Sequence, residues 1–277
     1  MLIFIIPLRS AKTTDSWGRV SQLFERTLRS VCHQTCEEFR VIVVCHDLPD
    51  IQFDHPNIAY LPVDFPIPTW ERSDDYSSRR IDKQKKIFMG LTYASRFNPS
   101  HIMFVDADDC VSKHLAQFVS QNSESIGWMF SDGYEYTDGS SSILLRQKVF
   151  YYRCGTSNIV KYNIIAPDKN MKIDDVNPQW LFHGGKIEKQ LQDRGHCLDN
   201  LPFPGAVYIT NNGANLYTQR YMRLQRANSL YKKLSVCLVI VGKRILSRPL
   251  TDTIREEFCL YNVKNSNSAN AKYLAIK

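Results

Sequence analysis

Three short stretches, Leu2 to Ile6, Arg40 to Cys45 and His101 to Val105, are nearly unbroken runs of β-branched and other large apolar residues. A strand that is apolar on both sides is covered on both sides, the usual condition of a parallel strand lying between helices. Between the first two runs, Val20, Leu23, Phe24, Thr27, Leu28 and Val31 recur at three- and four-residue spacing. That spacing predicts one helix with a single sheet-facing side, ending near Gln34. Strand, helix, strand in the first 45 residues is a βαβ unit, whose crossover is right-handed in nearly all folds.

The same reading continues along the chain. Asn57 to Val63 is a candidate third strand, Asp64 to Ser78 a polar loop broken by Pro66 and Pro68, and Arg79 to Ala94 a basic helix. Leu115, Phe118 and Val119 mark a helix, Gly127 to Tyr136 a strand, Val149 to Tyr152 a short strand, and Ile187 to Arg194 a helix stopped by Gly195. The fold class expected is α/β, with a mostly parallel central sheet flanked by helices. We expect one main domain over 1–215 and a mainly helical extension over 216–277.

Composition narrows the class further. With 43% hydrophobic and 23% charged residues, 277 residues exclude a disordered chain and supply a large core. The eight cysteines are scattered and several sit in apolar runs, unlike a secreted disulfide framework or a zinc cluster. Residues Met1 to Pro7 lack the basic start and small-residue cleavage site of a secretion signal, so a reducing cytoplasm is expected. The net charge of +7 does not by itself imply nucleic acid, and none is expected as partner. Eight Lys or Arg and no acid fall between Arg220 and Arg248, around the apolar run Leu234 to Gly242. That stretch is too short to span a bilayer. It reads either as an element docked on the core or as a peripheral contact with an anionic membrane surface on its inner face.

The chemistry concentrates at Asp106-Ala107-Asp108-Asp109, directly after the strand His101 to Val105. In open α/β sheets ligands bind beyond the carboxyl ends of the strands. Carboxylates two residues apart at such an end suit a hard cation, and Mg²⁺ or Mn²⁺ is commonly held by one or two carboxylates plus substrate phosphates. An acid-rich turn capping the helix near Ser112 is the simpler alternative, though three acids in four residues exceed what a cap requires.

The run IIPLRS, the helix LFERTLRSVCHQT, the strand FRVIVVCHD, the helix DKQKKIFMGLTYAS and the segment HIMFVDADDCVS follow, in this order, the pattern of family 2 glycosyltransferases, which this sequence resembles over residues 1–120. The resemblance implies a GT-A fold and inverting transfer from a nucleotide-diphosphate sugar to a hydroxyl acceptor such as a saccharide, with Mn²⁺ or Mg²⁺ as cofactor. It implies nucleoside contacts from Pro7, Leu8, Arg9 and Ser10, a base or phosphate contact from Lys83 or Lys86, ribose or sugar contact and metal ligation from Asp106, and metal ligation from Asp108. The chain departs from the pattern in two places. After the second strand it carries Cys45-His46, with an acid only at Asp47, which is then the candidate nucleotide contact there, and the downstream Glu-Asp motif that supplies the general base is replaced by Phe182-His183-Gly184-Gly185.

His183 and Asp175 are therefore the candidate bases, since imidazole and carboxylate both accept a hydroxyl proton, and His183 is equally a candidate metal ligand. Two further segments, Cys154 to Asn158 and Leu201 to Tyr208, resemble acceptor-side loops of some of these enzymes, or are plain turns. Trp70, Trp128 and Trp180 are candidates either for stacking on sugars or for the core. A sugar-phosphate nucleotidyltransferase, which attacks phosphorus with similar groups, is the competing enzyme. A catalytically degenerate carbohydrate or membrane-surface binding module is the non-enzymatic rival.

Overall fold

The computed structural model describes residues 1–67, 76–177, 180–181, 185–210 and 246–263. The apolar runs become a parallel core. β1 (Leu2–Pro7) leads through α1 (Trp17–Cys32) into β2 (Phe39–Cys45), paired with it in parallel, and β3 (Ile58–Pro62) adds in parallel beyond β2. α2 (Tyr76–Ala94) then returns the chain to β4 (His101–Phe104), parallel to β1 on its other side. Ser16 caps α1, its hydroxyl accepting the Arg19 N–H, and this fixes where the helix begins.

Successive side chains of a strand point to opposite faces, and β1 shows the consequence. Leu2, Phe4 and Ile6 pack with Phe24, Leu28 and Val31 of α1, whereas Ile3 and Ile5 pack with Ile87 and Leu91 of α2. The approach of α2 is close enough that a Cβ at Gly90 would stand 2.6 Å from the Ile5 side chain.

The remaining elements are β5 (Cys110–Val111), α3 (Leu115–Gln121), β6 (Gly127–Met129), β7 (Gly133–Thr137), β8 (Ser142–Arg146), β9 (Asn158–Lys161), α4 (Tyr162–Ile165), α5 (Gly185–Gln192), β10 (Asp199–Asn200), β11 (Ala206–Thr210), β12 (Arg248–Pro249) and α6 (Asp252–Glu257). They extend the first sheet to the order β10-β6-β9-β4-β1-β2-β3 and build a second sheet ordered β12-β8-β7-β11-β5. β9 runs antiparallel to β4, so the loop feeding β9 reaches the carboxyl tip of β4. Residues 246–263, from the expected extension, close the second sheet: β12 pairs with β8, and Leu250, Ile254 and Phe258 pack on Tyr134, Ile143 and Val207.

The structure corrects two local expectations. Gly127 to Tyr136 is not one strand but two, β6 and β7, in different sheets. The chain turns after Phe130, whose N–H donates to the Ser157 carbonyl, and Gly133 then seats against the Phe150 ring. Val149 to Tyr152 is not a strand; Phe150–Tyr152 is a 3-10 turn, entered through Lys148 at φ 61°. Its apolar residues carry β propensity, but burial of Phe150 beside β7 overrides it. Among the described residues no helix is long and apolar enough to cross a membrane. Positions 220–245 of the basic stretch lie outside the described residues.

Candidate active site

The chain lays down β1, β2 and β3 in one direction across the sheet and then places β4 on the opposite side of β1. The carboxyl ends of β1 and β4 therefore form a topological switch point, where a crevice opens in such sheets. A cleft of about 220 Å³ lies there, walled by Pro7 and Arg9 after β1, Thr13, Val20 and Leu23, Arg79, Asp82 and Lys83 of α2, and Asp106, Ala107 and Asp108 after β4.

The loop after β1 is braced from beneath. Ser10 Oγ donates to Asp47 Oδ2 at 2.6 Å and Ala11 N–H donates to the same oxygen at 2.9 Å. Chiefly through the Ser10 bond, the Asp47 carboxyl is held below its usual pKa. Arg9 donates to the Thr13 carbonyl at 2.6 Å, and burial followed by the proximity of Arg79 lowers the pKa of its guanidinium. Leu8 is fully buried and belongs to the core, its N–H bonded to the Val44 carbonyl.

Across the cleft the acidic turn divides its carboxylates between two tasks. Asp106 and Asp108 are half-buried on the cleft wall, and Asp106 forms an ion pair with Lys83. Asp109 is directed inward and is 1% exposed. Its carboxyl accepts from Thr156 Oγ1 at 2.7 Å, Cys154 Sγ at 3.2 Å and Ile209 N–H at 3.2 Å. Burial, reinforced by Asp108 and Asp106, raises its pKa well above the carboxylate norm. Thr156 Oγ1 also accepts the Asp106 N–H at 2.9 Å, so one hydroxyl fastens both ends of the turn.

Lys86 and Lys83, candidates for the same role, are separated by the structure. Lys83 reaches the cleft, whereas Lys86 is 1% exposed and bonds Asp82 Oδ2 at 2.8 Å. Asp82 itself lines the cleft, with His46 Nδ1 at 3.9 Å from its other oxygen. Asp175 is exposed on a 3-10 turn over Ile173–Asp175, where its carboxylate accepts the Lys172 N–H at 2.8 Å; it is not among the residues walling the cleft. His183 lies outside the described residues.

Arg79, Asp82, Thr13, Val20 and Leu23 join the site without having been singled out for it in the sequence. One signal was available. Arg79, Asp82, Lys83 and Lys86 are spaced three and four apart, which places them on one helix face.

The donor set suits a hard divalent ion in part. Asp106 and Asp108 offer carboxylate oxygens on the same wall, but among the described residues no three His, Cys, Asp or Glu are grouped to hold a metal. An ion there would take one or two ligands from these aspartates and the rest from phosphate and water, which is how Mg²⁺ is usually bound.

The sequence matches no family model and no curated protein. Among solved structures, residues 1–349 of S. aureus TarS in complex with UDP align at TM-score 0.40 and 12% identity, covering 82% of this chain and 66% of that one. Longer TarS aligns at 0.37 and 12%, covering 88% of this chain, which spans only 43% of its length. Francisella tularensis 2-C-methyl-D-erythritol 4-phosphate cytidylyltransferase (IspD) aligns at 0.38 and 10%, over 81% and 98% of the two chains. Scores of this size carry no argument about activity, which rests on the residues of the cleft.

Proposed function

We propose that this chain is a glycosyltransferase that moves a sugar, with inversion, from a nucleotide-diphosphate donor to a hydroxyl acceptor. One observation carries the reading: at the switch point, the Asp106 and Asp108 carboxylates and the cations Arg9, Arg79 and Lys83 line a single cleft. A diphosphate is the ligand class that needs both groups, cations for its oxygens and carboxylates for a counter-ion. The apolar side chains of Pro7, Val20 and Leu23 offer a surface for the flat part of a nucleoside.

In the reaction proposed, the acceptor oxygen attacks the anomeric carbon, the bond from that carbon to the β-phosphate oxygen breaks, and the nucleoside diphosphate departs with the electron pair. Arg9, Arg79 and Lys83 hold the leaving oxygens through charge-assisted bonds. Mn²⁺ or Mg²⁺ on Asp106 and Asp108, when bound, supplies further neutralisation of that charge. The acceptor proton passes to a base, a role this reading gives to His183.

Product analysis tests the proposal. With a panel of UDP-, GDP-, CDP- and dTDP-sugars and Mn²⁺, the enzyme should release nucleoside diphosphate. Formation of sugar nucleotide and pyrophosphate from a sugar phosphate and a nucleoside triphosphate would instead establish a nucleotidyltransferase. Failure of both reactions would leave the binding-module reading.

A further inference from the structure

Trp128 packs within the core and the half-buried Trp180 packs against it. Trp128 is 4% exposed and packs edge-on against Phe118, and Trp180 packs edge-on against Phe88. Among the described residues the most exposed aromatic side chain is Tyr152, on the 3-10 turn Phe150–Tyr152. There the Tyr151 and Tyr152 ring centroids are 4.1 Å apart at an interplanar angle of 35°, and Tyr152 is 70% exposed.

The turn is built to hold this pair outward. Phe150 is fully buried against Gly133, where a Cβ would come within 2.5 Å of its ring. The N–H groups of Tyr152, Arg153 and Cys154 bond back to the carbonyls of Val149 and Phe150. Three local backbone hydrogen bonds and a buried anchor leave the backbone of the turn little freedom to lose on binding, which favours a ligand surface.

Its position is equally specific. The donor wall comes from the loop after β1 and from α2, on the β1 side of β4. The loop 154–157 feeds β9, which flanks β4 on the opposite side, and Cys154 and Thr156 both touch Asp109 of the acidic turn. Tyr152 is two residues from Cys154, so their Cα atoms are within about 7 Å. The aromatic turn thus leads directly into the loop that touches the acidic turn, on the β9 side of β4.

We propose that Tyr151 and Tyr152 form the acceptor subsite and that the acceptor is a saccharide, stacked through the C–H face of a pyranose on the exposed Tyr152 ring. The inference rests on the transferase reading and names its acceptor class. A pyranose has one apolar C–H face and a rim of hydroxyls. The turn matches both, with apolar ring faces, phenol hydroxyls and a polar border of Lys148, Arg153 and, from α5, Glu188. Among the described residues the exposed large apolar side chains here are Val149 and Tyr152, a smaller patch than an aliphatic chain or a protein partner covers.

Saturation-transfer NMR with methyl pyranosides of glucose, galactose and N-acetylglucosamine and with cellobiose, recorded with and without UDP and Mn²⁺, tests this. At least one saccharide should receive saturation on the protons of one ring face. Tyr152→Ala should weaken that binding on the order of tenfold, while Tyr152→Phe and Tyr152→Trp keep it. An unchanged melting temperature of Tyr152→Ala without ligand shows that the fold is intact. No binding by any saccharide to the wild type, or equal binding by Tyr152→Ala, overturns the proposal. If saccharide binds through Tyr152 but no nucleoside diphosphate shifts the melting temperature of the wild type, the stacking site stands and the transferase reading falls.

Discussion

Arg26 of α1 and Asp138 after β7 form an ion pair at 2.8 Å with both side chains fully buried, and breaking it from either end should have unequal consequences. Asp138 has a second partner, Arg19, at 2.7 Å. Among the described residues Arg26 has only the Tyr261 carbonyl besides, at 3.2 Å, and its Nε and Nη2 find no partner. The Coulomb attraction is not itself stability, because desolvating both charges opposes it. Asp138→Ala strands a buried guanidinium and should cost about 3–5 kcal/mol, a large share of the roughly 5–15 kcal/mol that holds a domain folded. Arg26→Met removes that charge together with two unpartnered nitrogens, each a penalty of about 1–3 kcal/mol, and leaves Asp138 with Arg19. Its net cost should be smaller, about 0–2 kcal/mol, and the double variant should be more stable than Asp138→Ala alone. Urea denaturation at pH 7 followed by circular dichroism measures all three. If Arg26→Met costs more than Asp138→Ala, or if the two costs simply add, the buried-charge reasoning is wrong.

Gly133→Ala forces a Cβ to within 2.5 Å of the Phe150 ring and should destabilise by about 1–3 kcal/mol; Phe150→Leu in the same chain should relieve part of that, and a neutral Gly133→Ala would mean the turn is not held as described. Ser10→Ala removes the main bond that depresses the Asp47 pKa, so an NMR titration should show this carboxyl moving up towards its ordinary value. A carboxyl with a depressed folded pKa stabilises above its unfolded pKa of about 3.9 and loses that contribution as pH falls through the folded value. The Ser10→Ala variant should therefore melt lower than wild type near neutrality, and the gap should narrow in acid to what Ser10 contributes by accepting the Lys12 N–H; a gap independent of pH would contradict the assignment.

The central parallel strands were legible because burial on both faces leaves an uninterrupted apolar signature, as in Ile3, Phe4 and Ile5 or Val41 to Val44. β9 and β11 were not, because Asn158-Ile159-Val160-Lys161 and Ala206 to Thr210 are short runs beside glycine- and proline-rich loops, and their partners are distant in sequence. The break between β6 and β7 escaped detection because the apolar pattern continues through Phe130 while the chain changes sheets. At the site, residue type at a strand end pointed to Asp106 and Asp108, and helix spacing set Lys83 within reach of them. The inward direction of Asp109 had no local signal, since its partners Cys154, Thr156 and Ile209 come from two later segments. Which of two adjacent carboxylates faces water depends on those distant donors.

Calorimetric titration of UDP, GDP, CDP and dTDP with and without Mn²⁺, into wild type and Asp108→Asn, addresses the cleft itself. Binding of at least one nucleoside diphosphate should strengthen with the ion, and Asp108→Asn should reduce that ion-dependent gain by on the order of tenfold or more. Binding indifferent to both the ion and the substitution, or no binding at all, would contradict the assignment of these carboxylates and cations to a metal-diphosphate.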